Sequence, residues 1–198
     1  VFTGFLNRTN CTSAVWLSRT ILLNSVTGTL KKSLSDWLKD YNVPGLFDVD
    51  TRALTKILRE KGSMLGKIEF EDETIDFYDP NKENLVSIAS CTKREVYGDG
   101  EFKIILIDCG VKNNIIRCLL KRGTTVIRVP WDYDFSEEDF DGVFISNGPG
   151  DPAMCEATVD NIRKIIDTDK PVMGICLGNQ LLARAAGEAG YYAAAGDS

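Results

Sequence analysis

Two short stretches hold residue types suited to covalent chemistry on a carbonyl. The first is Pro171-Val-Met-Gly-Ile-Cys176-Leu-Gly178-Asn-Gln180, where Cys176 stands at the end of an apolar run with Gly174 and Gly178 two residues to either side. A side chain on a sharp strand-to-helix turn is held above the sheet, and small neighbours let substrate and backbone come close to it. A helix N-terminus at such a cysteine favours the thiolate, the nucleophilic form, and leaves backbone N–H groups free to face an oxyanion. Most free cysteines are buried packing residues, which is the reading for Cys11, Cys91, Cys109, Cys118 and Cys155. The flanking glycines and the turn assign Cys176 to chemistry. The second stretch, Ile145-Ser-Asn-Gly148-Pro149-Gly150-Asp-Pro152, also follows an apolar run directly. Two glycines around a proline make a wall without side chains that can present N–H groups to a substrate. Ordinary turns also collect Gly and Pro, so it is the pairing with the Cys176 turn that makes this loop specific.

Both stretches must be positioned by what precedes them. From residue 101 the pattern alternates regularly: a β-run at 103–107, a helix at 113–122 with Ile115, Ile116, Leu119 and Leu120 inward and Gly123 closing it, and a β-branched strand at 124–129. A strand at 142–146, a helix at 157–166, a strand at 172–175 and a helix at 177–186 complete it. Short apolar strands separated by amphipathic helices predict a parallel sheet covered on both faces. In such sheets the site lies beyond the carboxyl ends of the strands, which is where both stretches fall.

The first half reads differently. Residues 1 to about 30 give little beyond a mixed apolar stretch, 14–23, open between strand and helix. Ser33 to Asp40 places Leu34, Trp37 and Leu38 on one helical face, and Val43-Pro44-Gly45 breaks it. Asp50 to Gly62 is the best helix of this half, with Asp50 or Thr51 capping, Ala53, Leu54, Ile57 and Leu58 as its apolar face, and Gly62 ending it. A short strand is predicted at 66–70 and a turn at 79–81. Tyr97-Gly-Asp-Gly100 reads as a linker, dividing an α+β region, 1–97, from an α/β region, 101–198.

The composition removes several alternatives. With 43% hydrophobic and 26% charged residues the chain is an ordinary globular mixture, and its net charge of −6 argues against nucleic acid or an anionic membrane as partner. No apolar run approaches the roughly 20 residues a membrane span needs. The six cysteines form no CxxC pair, which fits reduced thiols in a cytoplasmic setting, and with no histidine in 198 residues a metal site has little support. The chain begins at Val1, and its last residues, 188–198, are Ala/Gly-rich without a clear pattern. Both ends read as cut or substituted.

Ser146-Asn-Gly-Pro-Gly-Asp-Pro152 together with Gly174-Ile-Cys-Leu-Gly-Asn-Gln180 resembles the class I glutamine amidotransferases. Val43-Pro-Gly45, Val49-Asp-Thr-Arg-Ala-Leu-Thr55, Arg59-Glu-Lys-Gly62 and Asp108-Cys-Gly-Val-Lys-Asn113 resemble more narrowly the small chain of glutamine-dependent carbamoyl-phosphate synthetase. These motifs run from about Ser33 to Gly187, with little match before and none after. A related amidotransferase of anthranilate or guanylate synthesis is the less favoured alternative, because Val49–Thr55 and Asp108–Asn113 point away from it.

The resemblance implies a flavodoxin-like, doubly wound domain of which this chain holds the N-terminal half. It implies that Cys176 attacks the side-chain amide of glutamine, giving a glutamyl thioester and ammonia. The N–H of Leu177 and the Gly148–Gly150 loop would hold the oxyanion, and Gly148, Gly150 and Gln180 would help bind substrate. The chain itself would carry no cofactor. Its ammonia would go to a synthetase large chain or fused synthetase domains, which use ATP and bicarbonate to make carbamoyl phosphate for pyrimidine or arginine synthesis. The family's catalytic His and Glu would fall after residue 198, so the chain alone is expected to be inactive. The competing expectation is a non-catalytic piece or regulatory subunit that binds the synthetase.

Overall fold

The computed structural model describes residues 16–17, 33–43, 45–67 and 74–187. The chain divides into two compact units, Val1–Asp79 and Pro80–Ser198.

In the first unit, β1 (Trp16–Leu17) pairs in parallel with β2 (Gly45–Leu46). Helix α1 (Leu34–Asp40) starts where the Ser33 hydroxyl accepts from the Asp36 N–H, and its Leu38 forms a small buried cluster with Val43, flanked by Trp37 and Tyr41. Helix α2 (Thr51–Lys61) starts at Asp50, whose Oδ1 accepts from the Ala53 N–H at 3.0 Å, and ends at Gly62 with φ +78°. Its apolar face is not buried among the described residues: Ile57 is 41% exposed. Gly66 and Lys67 are not in a strand, and the rest of the strand expected at 66–70 lies outside the described residues, as does most of 14–23 and all of 188–198.

The second unit opens with α3 (Leu85–Ala89), capped by Asn84, and β3 (Glu95–Tyr97). The alternating series follows: β4 (Phe102–Asp108), α4 (Asn113–Leu120), β5 (Thr124–Pro130), β6 (Gly142–Ile145), α5 (Glu156–Arg163), β7 (Val172–Gly174) and α6 (Leu177–Ala185). The five strands lie in the order β3-β5-β4-β6-β7, parallel except for β3, which is antiparallel to β5. The parallel α/β sheet expected from the alternation is therefore present, with one antiparallel edge added. Tyr97-Gly-Asp-Gly100 does not separate the two units. Tyr97 pairs with Val126, the Gly100 carbonyl accepts from Thr125 Oγ1 at 2.7 Å, and the division comes at 79/80. A Gly-rich run between two consecutive strands that flank β5 reads as a linker in sequence, because the pairing that holds it is not local.

Alternation along β4 explains the two covered faces. Ile105 and Ile107 point into a core with Ile127, Val129, Val143, Ile145, Val159, Ile162, Leu177 and Leu181, which is the α5–α6 side. Leu106 points the other way, to Ile116 of α4, Val126 and Phe144. Burying each such side chain fully contributes roughly 1.5–3 kcal/mol, so the sheet is held from both sides. The chain leaves β4 for β5 on one flank and returns to β6 on the other, which opens a crevice at the carboxyl ends of β4 and β6.

Candidate active site

Three loops meet at that end of the sheet: 109–112 after β4, 146–150 after β6 and 175–176 after β7. Cys176 has φ +54° and ψ −112°, a backbone conformation rare for a residue with a side chain, and it stands directly before α6. Such a conformation persists only where the surroundings over-determine it, and here they do. The Ile175 N–H donates to the Ile145 carbonyl at 3.1 Å, the Gly178 N–H to the Ile175 carbonyl at 3.0 Å and the Gln180 N–H to the Cys176 carbonyl at 3.1 Å. A Cβ on Gly174 would lie 2.4 Å from the Gly178 backbone, and one on Gly178 would lie 2.3 Å from the Ile145 carbonyl oxygen. The spacing of two residues to either side of Cys176 is thus a packing requirement: strand, turn and helix touch backbone to backbone, and only glycine fits.

The thiols differ sharply. Cys176 is exposed, Cys91 and Cys118 are partly buried, and Cys109 and Cys155 are fully buried in the core; Cys11 lies outside the described residues. Burial pushes the Cys155 thiol up to about 11 and Cys109 well above its ordinary value. Burial, then the adjacent Asp108 carboxylate, raises Cys91 to about 11. These thiols are held in the protonated, unreactive form at neutral pH.

The loop after β6 sits beside the head of α6. A Cβ on Gly148 would come within 2.8 Å of Leu177 Cδ2 and 2.1 Å of the Cys109 carbonyl oxygen. The Leu177 side chain is buried in the core, so it is not a group that a substrate can touch. The turn at Cys176 provides no side-chain cap, and among the described residues no acceptor takes the Leu177 N–H. Gln180 lies one helical turn beyond Cys176 and is partly exposed. Gly150, with φ +80°, packs against Leu85 of α3, and among the described residues no hydrogen bond joins it to the Cys176 turn. The structure therefore brings Cys176, Leu177, Gln180 and Gly148 together, and places Gly150 on the outer side of the same loop.

Sequence reasoning missed what holds these loops. Ser146, buried, accepts from the Cys109 N–H through Oγ at 2.9 Å and donates to the Asn147 carbonyl at 2.8 Å. Arg184 of α6 donates to the Pro152 carbonyl and to Glu156 at 2.8 Å, tying α6 to the chain beyond Gly150. Asp108 is fully buried and paired with Arg128. An Asp at the end of an apolar strand was the available signal.

Residues 105–196 match the family described as glutamine amidotransferase class-I, and residues 7–68 match that described as carbamoyl-phosphate synthase small chain, CPSase domain. Both extend nearer the chain ends than the motifs between Ser33 and Gly187 indicated, because weak preferences over many positions add up where no short motif stands out. The mitochondrial carbamoyl-phosphate synthase [ammonia] of Homo sapiens is 50% identical over 163 residues, 81% of this chain and 11% of that protein. The multifunctional protein pyr1-3 of Dictyostelium discoideum is 48% identical over 79% of this chain and 8% of its own length. The multifunctional protein CAD of Squalus acanthias is 47% identical over 81% and 7%. The chain spans about a tenth of the length of these relatives. Among solved structures, a Thermoplasma acidophilum protein described as part of a GMP synthase is 31% identical, with 43% of this chain and 45% of that one covered at a TM-score of 0.39; overlap at that level bears on neither fold nor function. No helix among the described residues is long and apolar enough to cross a membrane. Its two successive matches give the chain a carbamoyl-phosphate synthase small-chain region at 7–68, followed by a class-I glutamine amidotransferase region at 105–196.

Proposed function

We propose that this chain supplies the glutamine-binding half-site of a carbamoyl-phosphate synthase, with Cys176 as nucleophile. The observation that carries the reading is the exposed thiol on a positive-φ turn at the uncapped head of α6, beside a glycine loop. Several relatives are named for ammonia, so similarity alone does not decide whether glutamine is used; the Cys176 turn is what favours glutamine. The sulfur attacks the side-chain amide carbon of glutamine, an S–C bond forms, and the developing oxyanion faces the Leu177 N–H and the loop at Gly148. The C–N bond then breaks and the nitrogen leaves as ammonia, taking the proton the thiol gave up. Water cleaves the thioester to glutamate and free thiol. Ammonia passes to a synthetase chain or fused synthetase domains, where ATP and bicarbonate are used.

None of the 198 residues is a histidine, and among the described residues no other side chain at the turn is placed to move protons between thiol, ammonia and water. We therefore expect thiol capture without turnover. The test is to treat the chain with a glutamine-derived chloroketone at about pH 8, where a cysteine thiol is partly ionised, and map adducts by mass spectrometry while measuring ammonia release from glutamine. Preferential labelling of Cys176, slowed by excess glutamine, with ammonia at background, is the expected result. Labelling indifferent to glutamine would overturn the glutamine site and favour the second reading, a non-catalytic part that binds the synthetase. Ammonia release lost on Cys176→Ala would overturn the claim of no turnover.

A further inference from the structure

The motif Asp108-Cys-Gly-Val-Lys-Asn113 contains no group that the proposed chemistry uses, yet it begins with a fully buried carboxylate at the mouth of the crevice. Burying an acid is costly unless its oxygens are satisfied and its charge is paired, and Asp108 meets both conditions. Oδ1 accepts from the Gly110 and Val111 N–H groups at 2.8 and 2.7 Å. Oδ2 accepts from the Cys91 N–H at 2.8 Å and from Arg128 Nε at 2.9 Å and Nη2. Arg128 is held in turn by Glu95 at 3.1 Å, and Glu95 by the Tyr97 hydroxyl at 2.6 Å. One side chain thus fixes the backbone of residues 110 and 111 to a charged cluster on β3 and β5.

What those two residues support is the loop after β6. Gly110, at φ +120°, lies so that an added Cβ would be 3.1 Å from Pro149 Cδ and 3.5 Å from Gly148 Cα. The Asn147 side-chain amide donates to the Gly110 carbonyl at 3.2 Å, and the Cys109 N–H to Ser146 Oγ at 2.9 Å. Residues 108–110 are therefore the floor on which 146–149 rests. A backbone donor is useful to a developing oxyanion only if it is already in place.

We infer that Asp108 is a positioning residue: through Gly110 and Asn147 it sets the place of the Gly148–Gly150 loop relative to Cys176. This rests on the proposed glutamine site, so the experiment includes a reading that does not. In Asp108→Asn the amide cannot accept from all five N–H groups, and its NH2 must face a donor. The variant is compared with the wild-type chain in three ways: saturable inactivation of Cys176 by the glutamine chloroketone, its reaction with iodoacetamide, and amide hydrogen exchange of residues 146–150. The maximal inactivation rate is expected to fall roughly tenfold or more, since a misplacement of about 1 Å can cost about a hundredfold. The iodoacetamide rate should stay within about twofold, because an exposed thiol needs no loop. Exchange at 146–150 should rise while 124–127 of β5 stays protected. Unchanged exchange at 146–150 in folded Asp108→Asn overturns the inference whether or not the wild-type thiol recognises glutamine. Should Asp108→Asn fail to fold, Asn147→Ala breaks the same support at its outer end, and the same unchanged exchange overturns it. Loss of glutamine protection in the wild type, with exchange responding as expected, overturns the glutamine site and leaves the positioning role standing.

Discussion

Helices α2 and α6 are both plain in the sequence, and they begin in opposite ways. At the start of α2, Asp50 places its carboxylate on the Ala53 N–H, so the helix satisfies itself, and its apolar face stays unburied among the described residues. At the start of α6 there is no side-chain cap; the preceding residue is Cys176 in a positive-φ conformation, while Leu177, Gly178 and Leu181 are buried. The difference separates two uses of one element. A capped helix has used its first N–H groups on its own chain, whereas an uncapped one keeps them for something else and draws its stability from packing.

Because close packing and backbone hydrogen bonds, and no side-chain cap, hold the α6 turn, disturbing it should give the largest effect in the molecule. In Gly178→Ala the new methyl would lie 2.3 Å from the Ile145 carbonyl oxygen and 2.8 Å from that of Ser146, and backbone cannot move aside as a side chain can. A loss of about 3 kcal/mol is expected, at the upper end of overpacking costs, measured by urea denaturation. Glutamine-directed labelling of Cys176 should be lost with it. Wild-type stability in this variant would show that the turn is looser than its contacts imply.

That contrast also marks how far the sequence could be read. The strands β4 to β7 and the helices between them were legible because their apolar positions recur at the period of the element, and Gly174, Cys176 and Gly178 because only a sharp turn calls for that spacing. β3 was not, since Glu95-Val-Tyr97 is short and its place beside β5 is decided by pairing across some 30 residues of chain. Gly98 and Gly100 then suggested a linker inside a sheet. Asp108 was noticed only as part of a motif, because the group that makes its burial tolerable, Arg128, lies 20 residues away. For α2, periodicity identified an apolar face correctly but could not say whether anything covers it.

A smaller effect should come from two thiols of the packed unit, the partly buried Cys91 and the buried Cys155, which have no counterpart in α2. Cys91 and Cys155 are raised from 9.0 to about 11, chiefly by burial. Below pH 9.0 both are protonated whether the chain is folded or not. Between 9.0 and about 11 the unfolded chain gives up these protons while the folded chain keeps them, so stability is full below 9.0 and falls as pH rises through the window. Urea midpoints from about pH 8 to 11 should decline less steeply in a Cys91→Ala, Cys155→Ala double variant than in the wild type. Equal slopes would mean that these thiols ionise in place without strain.

The smallest effect belongs to the helix that needs nothing from its neighbours. Asp50→Ala removes the acceptor for the Ala53 N–H and leaves that donor to water, which is easily reached because the residue is exposed. Loss of an N-cap costs typically about 1 kcal/mol. Since α2 has no buried residue to lose, the cost should appear as faster amide exchange over its first turn rather than as a shift of the main unfolding transition. Labelling of Cys176 should keep its wild-type rate and its sensitivity to glutamine. A slowed Cys176 reaction in Asp50→Ala would mean that the start of α2 contributes to the site, and the separation drawn between a self-satisfied helix and an available one would then fail at its first step.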